Sequence, residues 1–345
     1  MTAYLILENG TIFEGEFFGT PAEVTGEIVF NTGMTGYLET ISDPSHKGQI
    51  VLQTFPLVGN YGVIPSDLES ETIYTNAYIV KYPCQEPSNF RSCGNLDTFF
   101  MSQNITGLKG IDTRALTKII RENGVMNGKI TLHPPTQKDR DDAQGYSIKN
   151  AIGSVSCKDT YICTATDEKY NVALLDFGVR KSTIHAFTSL GCTVHVFPHT
   201  TTAEEILKIN PQGIILSSGP GNPAAPENDH IIETIKKLSH IPTLGICLGH
   251  LLLAIAKGYK TEKMKFGHRG SNQPIKELAT GRVYMSTQNH GYVVLSDDVS
   301  FKNVNDGTCE GLDYGNSFSV QFIPGGDTKF IYSRFIERMI AHAAR

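Results

Sequence analysis

Apolar and polar positions divide the chain into two stretches with different rhythms. In the first, short apolar runs at 4–8, 11–17, 27–31, 49–54 and 77–80 lie between Gly and Pro punctuation and read as β-strands. Asn9-Gly10, between the first two runs, tolerates positive φ and predicts a two-residue hairpin turn. One helix is expected over 113–122, with Asp112 as its cap, an apolar stripe of Leu116, Ile119 and Ile120, and Asn123-Gly124 as its end. From 134 to about 146 the chain is polar, and no order is assigned from there to 169.

After residue 169 the period changes. Apolar strands are expected at 171–177, 193–197, 213–217 and 243–246, and helices at 182–190, 202–209, 230–238 and 250–257. Thr202 and Glu205 make a capping box for the second of these helices. Strands alternating with helices across short loops imply a mostly parallel sheet covered on both faces. The expected organisation is a β-rich domain over 1–150, a linker over 151–168 and an α/β domain over 169–345.

Composition narrows the class. The 345 residues suit two domains, and 40% AVILMFWYC with 19% charged residues is ordinary for chains that bury real cores. A net charge of −5 without a basic patch makes nucleic acid an unexpected partner. Apolar runs such as 251–256 fall far short of the roughly 20 residues that span a bilayer. The opening MTAYLILENG has no basic n-region, so a signal peptide is not expected. Seven cysteines with no C-x-x-C spacing suit reduced thiols in a cytoplasmic protein, and no metal site is expected from them.

Gly245-Ile246-Cys247-Leu248-Gly249-His250, at a strand-to-helix junction, carries the chemistry. It is the cysteine form of the nucleophile elbow, in which a sharp turn lifts the sulfur above the sheet end. Small neighbours let the backbone cross, and the positive end of the following helix favours a thiolate. The N–H of Leu248 is placed to hold an oxyanion. Ser217-Ser218-Gly219-Pro220-Gly221-Asn222-Pro223 follows another strand at the same sheet end, and Gly219 can supply a second oxyanion donor. A phosphate cradle is the rival reading of this loop, but the Lys-Ser/Thr of a P-loop is missing.

These two motifs, with Gln288-Asn289-His290-Gly291, resemble a class I glutamine amidotransferase domain of flavodoxin-like fold. The run GEIVFNTGMTGYLETISD from Gly26, with Asp43-Pro44-Ser45, Gly59-Asn60-Tyr61-Gly62, Asp112-Thr113-Arg114-Ala115-Leu116-Thr117 and Met264-Lys265-Phe266-Gly267-His268-Arg269-Gly270, resembles the carbamoyl-phosphate synthase small subunit. The resemblance spans essentially the whole chain. It implies that Cys247 attacks the side-chain amide of glutamine, with Gly219 and Leu248 as oxyanion hole. Ser45 of the first domain, Gly221, Asn289, Gly291 and Tyr292 would hold the glutamine beside them. Ammonia would pass to a large partner subunit that uses ATP, with Mg, and bicarbonate, in a cytoplasmic heterodimer serving arginine and pyrimidine synthesis. This chain itself would carry no cofactor and no metal.

Two positions depart from the family. Leu251 stands where a glutamine-binding Gln is usual. The family's Gln-x-His-Pro-Glu, source of the catalytic base and its orienting carboxylate, is replaced by Gln321-Phe322-Ile323-Pro324-Gly325, or lost in a short deletion. His250 and His290 belong to the family pattern beside the usual base, so structural roles are expected for them, and the other histidines read as ordinary. Three readings follow: a glutamine-hydrolysing small subunit with impaired chemistry, a binding subunit that has lost the reaction, and a free-standing hydrolase, which leaves the first domain unexplained.

Overall fold

The computed structural model describes residues 1–344 and divides into two compact units, Met1–Lys149 and Asn150–Arg345. The strands of the first are β1 (Thr2–Leu7), β2 (Ile12–Gly19), β3 (Val24–Asn31), β4 (Gln49–Gln53), β5 (Leu57–Val58), β6 (Ala77–Val80), β7 (Tyr82–Pro83), β8 (Thr106–Lys109) and β9 (Met126–Thr131). Seven of them close a barrel in the order β1-β2-β8-β6-β4-β3-β9, while β5 and β7 pair with each other. Its helices are α1 (Tyr37–Ser42), α2 (Leu96–Ser102), α3 (Thr113–Asn123) and α4 (Gln137–Gln144).

Both faces of β4 and β6 are buried, one inside the barrel and one under helices, which is why they read as unbroken apolar runs. Val29, Val51, Tyr78 and Val80 share a core with Leu38 and Ile41 of α1 and Leu96 and Phe100 of α2. Phe100, wholly buried, stacks on Phe18 at 5.1 Å and meets Tyr78 edge-on at 6.0 Å. Cutting such a ring to Ala costs about 3–5 kcal/mol. The Asp112 cap of α3 is present, its carboxylate accepting from Ala115 N–H at 2.9 Å.

The second unit holds one ten-stranded sheet. Its strands are β10 (Tyr161–Cys163), β11 (Tyr170–Asp176), β12 (Cys192–Pro198), β13 (Gly213–Leu216), β14 (Thr243–Ile246), β15 (Lys260–Glu277), β16 (Val283–Leu295), β17 (Phe301–Asn303), β18 (Cys309–Asp313) and β19 (Phe318–Val320). Their order is β10-β12-β11-β13-β14-β19-β18-β17-β15-β16. The helices are α5 (Lys181–Ser189), α6 (Ala203–Leu207), α7 (Asp229–Lys237), α8 (Leu248–Ala256) and α9 (Phe330–Ala343). Alternation along β11 explains the layering: Ala173 and Leu175 face Ile231 and Ile235 of α7 and Leu252 of α8. Val172 and Leu174 lie in the opposite core with Phe187 of α5 and Phe335 and Met339 of α9.

Several expectations need correction. The sheet is parallel only from β12 through β11, β13 and β14 to β19; every other pairing is antiparallel. The β15–β16 hairpin escaped the sequence reading because much of β15 is exposed and charged, so apolar alternation is weak there. Residues 151–168 are no linker: Ile152 sits in the α7–α8 core, and β10 pairs with β12. The hairpin turn has three residues, not two, since Leu7 pairs with Thr11 and Gly10 takes φ 91°. Within the polar stretch, 137–144 is helical, held by a capping box between Thr136 and Asp139. Among the described residues, no helix is long and apolar enough to cross a membrane.

Candidate active site

Parallel strands put their C-terminal ends at one edge, and this brings the two predicted motifs together. Cys247 follows β14 directly and takes φ 54° and ψ −104°, a left-handed strain that a non-glycine residue rarely bears outside a functional turn. Its N–H is held by the carbonyl of Val320 at 2.9 Å. The flanking glycines are required by space. A Cβ on Gly245 would lie 2.6 Å from the carbonyl oxygen of Gly249, and one on Gly249 would lie 2.2 Å from that of Leu216. Gly249 N–H donates to Ser217 O at 3.0 Å, fastening the start of α8 to the loop after β13.

That loop places the second oxyanion candidate. A Cβ on Gly219 would meet Leu248 Cδ2 at 2.9 Å and Phe177 O at 2.1 Å, so Gly219 and Leu248 are neighbours and only a bare backbone fits. Leu248 opens α8, where N–H groups have no intrahelical acceptor. Gly221 has φ 96° and packs toward Ala151. A tetrahedral oxyanion is stabilised by backbone N–H donors set beside the nucleophile, the role expected of these two residues.

The Gln288–Gly291 segment lies in β16, opposite β15, with His268 facing His290 and Arg269 facing Asn289. The Cys247 thiol donates to Asn289 O at 3.4 Å, which draws the elbow and this strand together. Gly291 and Tyr292 continue the strand, and Tyr292 O meets His290 Nδ1 at 2.9 Å. Ser45 belongs to the first unit, in a short turn after Asp43 whose carboxylate accepts its N–H at 2.9 Å; its hydroxyl is buried without a hydrogen-bond partner. Leu251 is 2% exposed and packs in the apolar core with Leu248 and Leu252.

Neither histidine of the motifs stands ready as a base. His250 is fully buried; Ser319 Oγ lies 2.7 Å from its Nδ1, its Nε2 has no partner, and burial lowers its pKa to about 3. His290 has both ring nitrogens engaged, by Tyr292 O and by Gln288 Oε1 at 3.0 Å, and burial holds its pKa well below the usual imidazole range. The segment after β19 passes beside β16: Ile323 N–H donates to Thr287 O at 2.8 Å, and the Ile323 side chain is 4% exposed. Gly325 has extended backbone and donates to Thr328 Oγ1 at 3.0 Å. Position 323 thus lies beside the strand that carries Asn289, and it presents an apolar group. Sequence reading missed the roles of Val320 and Thr287, since both act through backbone and β19 is too short to show a period.

Comparison with known proteins agrees with this geometry. The family model "Carbamoyl-phosphate synthase small chain, CPSase domain" matches residues 5–130, and "Glutamine amidotransferase class-I" matches 173–328. A carbamoyl phosphate synthase small chain from Clostridium perfringens is 45% identical over 350 residues, covering 98% of this chain and 99% of the relative. The pyrimidine-specific small chain of Bacillus subtilis is 44% identical over 354 residues, with 98% and 96% covered. The carbamoyl phosphate synthase small chain of Streptococcus mutans is 43% identical over 349 residues, with 96% and 95% covered. With both family models matched and these relatives aligned along nearly the whole chain, the chain belongs to the carbamoyl-phosphate synthase small chain family and carries its class I glutamine amidotransferase domain.

Proposed function

We propose that this chain is the small subunit of a cytoplasmic carbamoyl-phosphate synthase whose glutamine hydrolysis is impaired. The observation that carries the reading is the pair Ile323 and Gly325 after β19, where the family's base and its carboxylate are expected. In the ordinary reaction Sγ of Cys247 attacks the carboxamide carbon, and the oxyanion rests on the N–H groups of Gly219 and Leu248. The C–N bond then breaks only as a proton reaches the leaving nitrogen, and water must be activated to cleave the thioester. An imidazole serves both steps, contributing about 10²–10⁴-fold. Gly221, Asn289, Gly291 and Tyr292 would position glutamine, while Leu251 supplies no amide for it. ATP and Mg would bind the large partner subunit, which makes carbamoyl phosphate from bicarbonate and ammonia for pyrimidine or arginine synthesis.

A second reading, a scaffold subunit that supports only ammonia-dependent synthesis, is favoured by the same two positions together with the buried Leu251. One experiment separates them: glutaminase rate with and without the large subunit, beside ammonia-dependent synthesis. Slow hydrolysis abolished by Cys247→Ser supports an impaired enzyme. Hydrolysis unaffected by that change supports the scaffold, and an ordinary family rate overturns both.

A further inference from the structure

Three strands of the second unit bring together side chains that the glutamine reaction does not use. His268 of β15, His290 of β16 and Glu310 of β18 are 7%, 5% and 0% exposed, and one ligand atom from each lies within 4.8 Å of the others. His268 Nδ1 and Glu310 Oε1 are 3.5 Å apart, close to the spacing of two ligands on one tetrahedral ion with metal–ligand distances of about 2.0–2.2 Å.

Each of the three is held from outside. Asp306 Oδ2 lies 2.8 Å from His268 Nε2, which directs Nδ1 inward. The carbonyl of Tyr292 lies 2.9 Å from His290 Nδ1, which leaves Nε2 to bind an ion in exchange for its contact with Gln288 Oε1 at 3.0 Å. Asn303 Nδ2 donates to Glu310 Oε1 at 2.9 Å. The other carboxylate oxygen, Glu310 Oε2, is buried with no hydrogen-bond partner. A fully buried anionic oxygen without a partner is costly, and a cation among the three donors would satisfy it.

We propose that His268, His290 and Glu310 form a binding site for a divalent transition-metal ion of the zinc class. Two imidazoles and one carboxylate suit zinc, cobalt and nickel better than magnesium or calcium, which prefer all-oxygen sets. Asp306 and the Tyr292 carbonyl are the outer partners that orient such ligands, while the Asn303 amide, 2.9 Å from Glu310 Oε1 and 3.4 Å from His268 Nδ1, would turn aside for the ion. An ion there joins β15, β16 and β18 and braces the strand that carries Asn289 and Gly291. Its role is structural, and it takes no part in amide cleavage.

The test uses the full chain carrying Cys247→Ser, so that the elbow thiol does not bind the metal. After loading with Zn²⁺ and exhaustive dialysis, elemental analysis should find one zinc per chain. Co²⁺ should give visible bands of a nitrogen–oxygen site without thiolate charge transfer. Glu310→Gln and His268→Gln should each weaken Zn²⁺ binding at least about tenfold, and Asp306→Asn by about 10–100-fold. Should either ligand variant fail to fold by circular dichroism, Asp306→Asn decides, because it keeps the shape of the outer contact. Absence of retained zinc, or affinity in folded Glu310→Gln and Asp306→Asn as high as in the Cys247→Ser parent, overturns the proposal and leaves a simple imidazolium–carboxylate network.

Discussion

The thiol of Cys247 donates to the carbonyl oxygen of Asn289 at 3.4 Å. The nucleophile elbow and the strand expected to receive glutamine are therefore in direct contact, while the following stretch at Ile323 is tied to that same strand through Thr287. A base at position 323 would work from the neighbouring backbone, and an isoleucine there cannot.

Glutamine turnover by the complex should fall at least about 10²-fold below that of an intact family member, with ammonia-dependent synthesis retained. Combining Ile323→His, Gly325→Glu and Leu251→Gln should recover part of the lost rate. Steady-state glutaminase assays check this, and an ordinary rate in the unaltered chain, lost in Cys247→Ser, would show another base at work.

Much of the fold was legible because its signals are local. The Thr202–Glu205 capping box, the Asp112 cap and the 3.6-residue stripes of the second unit name their elements directly, and the elbow announces itself through Gly245, Cys247 and Gly249. What stayed hidden depends on distant pairing. The largely polar β15 has no inner face of its own until β16 and β17 flank it, and β19 is three residues long. At the site, the glycines and the cysteine were readable, whereas the backbone contacts of Val320, Asn289 and Thr287 leave no mark on residue type.

Gly249→Ala should destabilise the second unit by about 1–3 kcal/mol, since its Cβ meets the Leu216 backbone at 2.2 Å and neither side can rotate away. Thermal unfolding of the variant checks this. An unchanged midpoint would mean that the start of α8 gives way more freely than its tie to Ser217 suggests.

Iodoacetamide in limiting amount should label Cys247 ahead of Cys157, Cys192 and Cys309, whose thiols burial pushes up to about 12. Peptide mass spectrometry gives the order. Earlier labelling of Cys309 would show the elbow closed to the reagent.

In the first unit, Lys129 Nζ lies 2.8 Å from Asp139 Oδ1, and Thr136 donates twice to Oδ2, so Asp139 titrates well below the usual carboxylate range. A depressed carboxylate stabilises the fold above its unfolded pKa of about 3.9, and that contribution disappears as pH falls through the lower folded value. Asp139→Asn should therefore lower stability at pH 7, by a gap that narrows steadily as pH falls below about 4. Urea titrations across this range measure the gap, and a gap that widens with acid would refute the assignment.

Co-expressed with a large synthetase subunit, the chain should elute with it as one species on gel filtration. Two separate peaks at micromolar concentration would count against the partnership.

The position of β19 between β14 and β18 sets an order of events during synthesis. Strand β14 and its cysteine emerge early, but the strand that holds Cys247 N–H ends at Val320, more than seventy residues later. The elbow is therefore closed by a long-range, parallel pairing of β14 with β19, the kind of contact that forms slowly. A nascent or truncated chain ending before β19 keeps its nucleophile yet lacks the strand that fixes its backbone, so the reactive geometry arises only after Val320 has been made.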